Sequence, residues 1–179
     1  MLRFFKILLM VFVVSLIMTA CNEKQENNSN IDKKQRKESL EKTNRYLYLK
    51  EKEAINDYIE RHGIEVVRTG SGVCYRIVKQ GLGSKIKPEE VVAMEYEVRL
   101  LNGDLVYSSK EDGIKEFVVG RGGVESGLDE AVQCMHRGDV AEVIIPSHLA
   151  HGLIGDGRRI KARTTIVYKV KIIDNQINK

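Results

Sequence analysis

Hydrophobic and polar residues alternate along much of the chain between Ile64 and Ile173, with the spacing of β-strands. Val73, Tyr75 and Ile77 form one such run, and the even-numbered positions of Val92–Leu100 form a longer one. Successive side chains of a strand point to opposite faces, so this alternation predicts one buried face and one solvated face. Shorter runs of the same kind are Leu105–Tyr107, Phe117–Val119, Ala141–Ile145 and Ile166–Ile172.

Asn102-Gly103 separates two of these runs and predicts a hairpin with a type I′ turn. One stretch, residues 124–138, has helical spacing instead. Ser126 is predicted to cap its N-terminus and Gly138 to end it. Its apolar stripe is Leu128, Ala131, Val132 and Met135. A helix of about three turns is marginal alone, so it must pack on the sheet. The pattern predicts an α+β domain over residues 64–176.

Residues 31–63 are rich in Lys, Glu, Arg and Gln and predict a helical extension, as one long helix or two shorter ones. Ala54, Ile55, Tyr58 and Ile59 have the spacing of one helical face. We expect a solvated helix that packs once on the domain, and a dimer through residues 31–61 is the alternative. Residues 22–30 are polar throughout and predict a disordered tether.

Residues 1–21 have the features of a secretory signal. Arg3 and Lys6 precede an apolar run, Ile7–Ala20, that is shorter than the roughly 20 residues of a membrane-spanning helix. The run ends in M-T-A-C, which resembles the lipobox of bacterial lipoproteins and implies lipidation of Cys21. Ordinary cleavage and an uncleaved anchor remain the alternatives. The resemblance implies a protein of the bacterial cell envelope, held in the bilayer by lipid, and Asn22 favours the outer membrane.

Charge and composition exclude several other classes of function. Removing Arg3 and Lys6 with the signal lowers the formal net charge from +4 to +2. This small charge does not indicate a nucleic-acid-binding protein. The histidines and cysteines lack metal-site spacing, so neither a metal nor a cofactor is expected. Export permits a disulfide between Cys74 and Cys134, but their spacing does not establish one, and two small buried side chains are the simpler prediction.

A set of motifs in register resembles the FKBP-type peptidyl-prolyl isomerases. They are Tyr96, Asn102-Gly103, Tyr107–Ser109, Phe117–Gly120, Val124–Ala131, Met135–Asp139, Ile145–Gly152, Gly155–Gly157 and the final strand. The lipoprotein branch of Bacteroidetes, of the gliding-motility-associated type, is the most similar in pattern. The resemblance implies a twisted antiparallel sheet wrapped on one short helix. It also implies rotation of X–Pro bonds in exported polypeptides, and a non-catalytic chaperone or adaptor with the same fold is the alternative.

The resemblance also implies a pocket without an acid or a base. Its catalytic positions would be Tyr96, Tyr107, Glu125 through its backbone N–H, His151 and Tyr168. Its substrate-binding walls would be Val106, Phe117, Val124, Leu128 and Ile160, with Leu128 as the floor. An apolar pocket favours the twisted, less polar amide over the planar one.

Several positions depart from the family's usual pattern. This chain has Val106-Tyr107 where the family usually has Phe-Asp, and Leu128 where the family often has Trp. It has His151 where the family usually has Tyr, and Lys161 where the family usually has Pro. These changes predict weaker isomerase activity than is typical of the family. The basic loop around Lys161 predicts a preference for acidic clients.

Overall fold

The computed structural model describes the backbone of residues 22–173 and the side chains of residues 33–173. The proposed signal and Cys21 lie outside the described residues. The helices are α1 (Asn22–Arg61), α2 (Ser109–Asp112) and α3 (Ser126–Val132), with a short 3-10 turn at Ser147–Leu149. The strands are β1 (Val67–Arg68), β2 (Cys74–Lys79), β3 (Val91–Leu100), β4 (Leu105–Ser108), β5 (Lys115–Val118), β6 (Val140–Ile145) and β7 (Ile166–Ile172).

The strands form one antiparallel sheet in the order β1-β2-β6-β7-β3-β4, and β5 pairs with the start of β3. The predicted alternation is confirmed: Val92, Met94, Tyr96 and Val98 are all buried in the core cluster that contains α3. The α+β fold predicted from the pattern is therefore confirmed. Gly127 lets α3 lie directly on β6, since an added Cβ would come within 2.4 Å of the Ile145 Cγ2 atom.

Helix α3 is shorter than predicted and begins differently. Glu125, rather than Ser126, precedes its first turn, and the Glu125 carbonyl accepts the N–H groups of Leu128 (2.9 Å) and Asp129 (3.0 Å). The Ser126 hydroxyl donates to the Leu149 carbonyl instead. The chain turns away after Val132 because the buried Asp139 carboxylate accepts backbone N–H groups from His136 and Gly81. Tertiary hydrogen bonds thus override the local helix signal.

The predicted hairpin at Asn102-Gly103 is present, but its turn is not type I′. Gly103 has φ 94°, whereas Asn102 keeps a negative φ. The Gly103 N–H donates to the Leu100 carbonyl (2.9 Å), and the Leu100 N–H donates to the Asp104 carbonyl (3.0 Å). This is the longer loop in which a type I turn is followed by a positive-φ glycine. The Asn102 side chain stabilises it by accepting the Asp104 N–H.

The helical extension predicted for residues 31–63 is confirmed, but α1 begins at Asn22, so residues 22–30 continue the helix where we expected a disordered tether. Residues 23–26 are Glu, Lys and Gln, which favour helix, and the low cost of elongating a formed helix carries it through the Asn and Ser residues beside them. Contacts divide the chain into a unit that ends at Leu49 and one that begins at Lys50. Within the described residues, no helix combines the length and the apolar character needed to cross a membrane.

Residues 50–61 of α1 cover the outer face of the sheet. Ile55 and Tyr58 are buried there against Cys74, Ile144 and Val167. The expectation of two buried cysteines holds for only one of them: Cys74 is buried, whereas Cys134 is exposed, and both are free thiols. The next residue, Met135, is fully buried in the core cluster, so the chain still borders the core at this turn and Cys134 lies on its solvent side.

Candidate functional site

A cavity of about 350 Å³ opens on the inner face of the sheet, near the start of α3. It is lined by side chains from β3, β4, α2, β5 and β7, from Glu125, and from the loop that follows the 3-10 turn. These residues are Tyr96, Val98, Tyr107, Asp112, Lys115, Glu125, His151, Asp156, Arg158 and Tyr168. The cavity therefore joins parts of the chain up to 72 residues apart, from Tyr96 to Tyr168.

The ten residues predicted from the sequence divide into two groups. Tyr96, Tyr107, Glu125, His151 and Tyr168, the predicted catalytic set, all line the cavity. The predicted substrate-binding residues do not line it. Val106, Phe117, Leu128 and Ile160 are buried in the core cluster behind it, and Val124 packs against that cluster. Leu128 has no exposed surface, so it supports the cavity without forming an open floor.

Two tyrosines and a lysine form one wall. The rings of Tyr96 and Tyr168 lie 6.0 Å apart between centroids and are inclined at 50°. The Lys115 ammonium lies 5.1 Å from the Tyr96 centroid and 5.5 Å from the Tyr168 centroid. A cation at this distance from an aromatic ring is attracted by the ring's quadrupole. Lys115 thus places a positive charge where the sequence predicted only aromatic and aliphatic surface.

The Glu125 side chain is the centre of a polar network inside the cavity. Its carboxylate accepts the Tyr168 hydroxyl at 3.0 Å on both oxygens. His151 Nε2 lies 3.2 Å from Oε1, and Lys115 Nζ lies 3.8 Å from Oε2. The Lys115 ammonium also donates to the Tyr168 hydroxyl at 3.1 Å. The side chain of Glu125 therefore takes part in the site, in addition to the backbone N–H that the family resemblance singled out.

Burial, together with the adjacent Glu125 carboxylate, raises the pKa of Tyr168 far above its ordinary value. The pKa of Tyr96 is also raised, first by burial and then by Asp112 and Glu125. Both groups remain protonated at neutral pH. The Tyr168 hydroxyl is therefore available as a hydrogen-bond donor, not as a base.

Asp156 organises the loop on the other side of the cavity. Its carboxylate accepts a short hydrogen bond from the Tyr107 hydroxyl, and also the N–H groups of Arg158 (2.8 Å) and Ile160 (2.9 Å). Burial alone would raise the pKa of Asp156, but these hydrogen bonds outweigh it and lower the pKa. The hydrogen bond to Asp156 is the main reason that the pKa of Tyr107 is raised. The carboxylate missing at position 107 is thus supplied from position 156.

A second link holds the same loop over β4. The Arg159 guanidinium donates to the Val106 carbonyl at 2.7 Å and lies 5.4 Å from the centre of the Tyr107 ring. These contacts fix the position of Tyr107 at the rim of the cavity.

The sequence reasoning missed the polarity of the site. Val98 is the only aliphatic side chain among the ten lining residues, and three carboxylates, Asp112, Glu125 and Asp156, face two permanent cations. The prediction of an apolar pocket is wrong in this respect. Asp156 lay within the motif Gly155–Gly157, but Lys115 and Asp112 lie in a polar stretch without any local signal. The lining charge also gives no support for a preference for acidic clients.

Comparisons with known proteins agree on the family. Residues 83–173 match the family model described as FKBP-type peptidyl-prolyl cis-trans isomerase. The chain is 38% identical over 109 residues to a probable FKBP-type peptidyl-prolyl cis-trans isomerase FkpA of Neisseria meningitidis, and the match covers 60% of this chain and 39% of that protein. It is 34% identical over 107 residues to the FKBP-type 22 kDa peptidyl-prolyl cis-trans isomerase of Escherichia coli, with 59% and 51% covered.

Solved structures show the same relation. The crystal structure of FkpA from Escherichia coli superposes with a TM-score of 0.59 at 27% identity, over 66% of this chain and 56% of that one. The chain spans less than half the length of the Neisseria relative, so the match concerns one domain. The matched residues 83–173 make up half of the chain and contain every residue that lines the cavity. The chain therefore belongs to the FKBP-type peptidyl-prolyl cis-trans isomerase family.

Proposed function

We propose that the protein is a peptidyl-prolyl cis-trans isomerase that rotates X–Pro bonds in exported polypeptides. The observation that carries the proposal is that Tyr96, Tyr107, Glu125, His151 and Tyr168, the positions implied by the family, line one cavity. An X–Pro bond isomerises in tens of seconds without a catalyst, over a barrier near 20 kcal/mol. A site of this kind needs no acid or base, because the barrier is the loss of amide resonance.

In the proposed mechanism, the proline ring enters between Tyr96 and Tyr168, and the backbone N–H of Glu125 holds a substrate carbonyl. The apolar shell behind these rings supports them, and it consists of Val106, Phe117, Val124, Leu128 and Ile160. Removing water from the amide disfavours its planar, more polar form relative to the twisted one. His151 and Tyr107 supply hydrogen bonds at the rim.

The Glu125 network favours a modest rate. The Tyr168 hydroxyl and His151 are both directed at the Glu125 carboxylate, so a substrate carbonyl has to compete for them. The carboxylate also keeps the cavity polar, which weakens the desolvation on which the rate depends. We therefore expect activity below that of a variant with an apolar residue at position 125.

We further propose that the protein is anchored in the bacterial envelope by lipid on Cys21 and belongs to the lipoprotein branch of Bacteroidetes. In this proposal residues 1–21 are the signal, residues 31–63 the helical extension and residues 64–176 the isomerase domain. The support is the sequence M-T-A-C after an apolar run. Asn22 favours the outer membrane. Metabolic labelling with palmitate tests the anchor: Cys21→Ala should abolish the label and release the protein from membranes, and a labelled variant would contradict it.

A protease-coupled assay on a proline peptide, with the full chain, tests the enzyme. We expect measurable isomerisation that falls at least about tenfold in Tyr96→Ala, since the aromatic wall is lost. Tyr46→Ala, at an exposed position of α1, is the control and should keep the full rate. Activity that is absent, or that survives Tyr96→Ala, would contradict this proposal.

A second candidate is a non-catalytic envelope chaperone or adaptor with the same fold. The observation that favours it is the polar network that lines the cavity. This candidate predicts that the unaltered protein and the Tyr96→Ala variant suppress aggregation of an unfolded client equally well. A loss of this protection in Tyr96→Ala would leave the isomerase as the better account.

A further inference from the structure

A second cavity, of about 620 Å³, lies on the outer face of the sheet. Lys169 lines it, whereas the adjacent Tyr168 lines the cavity on the inner face. Neighbouring side chains of a strand point to opposite faces, so the two cavities are separated by the sheet. The walls of the outer cavity are the end of α1 with residues 58–64, the β3–β4 hairpin, and the sheet between them.

The outer cavity carries an excess of positive charge. Its permanent cations are Arg61, Arg76, Arg99 and Lys169, and Glu142 is its one carboxylate. Glu142 is buried and already accepts Arg76 at 2.8 Å and the Tyr58 hydroxyl at 3.3 Å. Arg99 is paired at 2.9 Å with Glu97, which lies outside the lining. Pairing thus accounts for two of the four cations.

Arg61 and Lys169 are the two cations that remain. Among the described residues, no carboxylate lies within ion-pair distance of either, and the Arg61 Nε donates to the Asp57 carbonyl. Lys169 stands opposite Glu142 on β6 and Glu97 on β3, and each of these acids already has an arginine. The two cations stand on different elements of the same cavity, so one ligand can meet both.

The rest of the wall is apolar or aromatic. Ile64 and Leu101 are half-buried against the cluster beneath α1. The His62 ring stacks on the Tyr58 ring at 4.1 Å between centroids, and its Nδ1 donates to the Tyr58 carbonyl. A small free anion would leave this apolar surface wet. A flat lipid surface would not enter a cavity between a helix end and a hairpin.

We propose that the outer cavity binds an acidic segment of polypeptide. Carboxylates of the segment would meet Arg61 and Lys169, and an apolar side chain beside them would pack on Ile64 and Leu101. Guanidinium groups bind carboxylates well because their N–H donors match the carboxylate geometry. The segment needs no proline, so this site is independent of the proposed isomerase and would let the protein hold a client while the inner cavity acts.

Fluorescence anisotropy with a labelled, proline-free peptide of alternating Glu and Leu tests the proposal on the full chain. We expect saturable binding that weakens roughly tenfold in the double variant Arg61→Gln, Lys169→Gln, from the loss of two partly exposed charge contacts. Lys171→Gln is the matched control. Lys171 lies two residues along the same face of β7 and also stands opposite a glutamate of β3, Glu95, but it is outside the cavity.

Four outcomes would overturn the proposal. An equal loss in Lys171→Gln would mean diffuse charge attraction, and equal binding of a Lys-Leu peptide would mean that the carboxylates do not matter. Binding of inorganic phosphate alone, with the same dependence on the double variant and without peptide binding, would mean an adventitious ion only. Binding to phosphatidylglycerol vesicles but not to the peptide would assign the surface to a membrane. None of these outcomes depends on isomerase activity.

Discussion

The two faces of the sheet differ in how they are covered and in what they leave open. Among the described residues, the inner face buries twenty-one in one cluster around α3, and its cavity is lined by a hydrogen-bonded network. The outer face buries a separate cluster of only five described residues, beneath one helix. Its cavity contains two cations, Arg61 and Lys169, that have no acidic partner among the described residues. The inner face therefore holds most of the buried core and the cavity of the proposed isomerase, whereas the covering of the outer face depends on the helix that precedes the matched domain.

The largest expected effect is on the inner core. Leu128→Ala removes a fully buried side chain beneath the cavity and should lower the free energy of unfolding by about 2–5 kcal/mol. Urea denaturation followed by circular dichroism measures it. Leu40→Ala, at an exposed position of α1, is the control and should change the value by less than about 0.5 kcal/mol. Equal losses would mean that α3 does not anchor the core.

A smaller effect is expected where α1 meets the outer face. The Glu51 carboxylate accepts the Ser147 N–H (2.7 Å), the Ser147 hydroxyl (3.0 Å) and the Thr165 hydroxyl (2.6 Å). The amide of Glu51→Gln has one acceptor oxygen and no charge, so it cannot accept all three hydrogen bonds. The substitution should therefore destabilise the protein by about 2 kcal/mol. Hydrogen exchange should rise in residues 50–61 before it rises in the sheet.

Glu53→Gln is the matched control, since Glu53 is exposed and pairs with Lys50. It should leave both the denaturation midpoint and the exchange pattern unchanged. Uniform exchange in Glu51→Gln would show that the helix end and the sheet open as one unit.

The buried tyrosine makes the inner face sensitive to alkali. The pKa of Tyr168 is raised in the folded state, so folding keeps its proton. The contribution of protonated Tyr168 to the free energy of unfolding is complete below the ordinary tyrosine pKa near 10, and it is lost as the pH rises above that value. Tyr168→Phe should therefore flatten the fall of unfolding free energy above a pH of about 10, by about 1.4 kcal/mol per pH unit. Urea titrations at a series of pH values measure the slope, and parallel curves for wild type and variant would exclude this origin.

The smallest expected effect is catalytic. Glu125→Ile removes the carboxylate that holds Tyr168 and His151, makes the cavity more apolar, and should raise kcat/KM about threefold. Glu125→Gln should give an intermediate value because the amide still accepts a hydrogen bond. Glu116→Ile, at an exposed position of β5, controls for added surface hydrophobicity. A lower rate in Glu125→Ile would mean that the carboxylate itself assists the reaction.

Most of the strands were predictable from the sequence because alternation is a local property that burial on one face imposes directly. Val92–Leu100 and Ile166–Ile172 lie where their patterns place them. The five proposed catalytic positions were chosen through motifs in register, and they line one cavity because a family pattern carries spatial information that a single segment lacks. The turn type at Asn102-Gly103 and the length of α3 were not predictable, because both depend on hydrogen bonds that hydrophobic spacing does not encode. The Asp104 N–H donates to the Asn102 side chain, and the distant Gly81 N–H donates to the Asp139 carboxylate.

The chain's own pattern of residues was sufficient for the α+β fold, the hairpin and the helical extension, and the family resemblance implied five positions that line the inner cavity. The folded chain alone decided the character of that site. Lys115, Glu125 and Asp156 come from separate segments, and only their convergence beneath Tyr168 and Tyr107 turns an expected apolar pocket into a polar one. The outer cavity has the same origin, since Arg61 and Lys169 are far apart in the sequence and meet only because the end of α1 packs on the sheet. Charge interactions of this kind depend on distance in space, which alternation and composition do not encode.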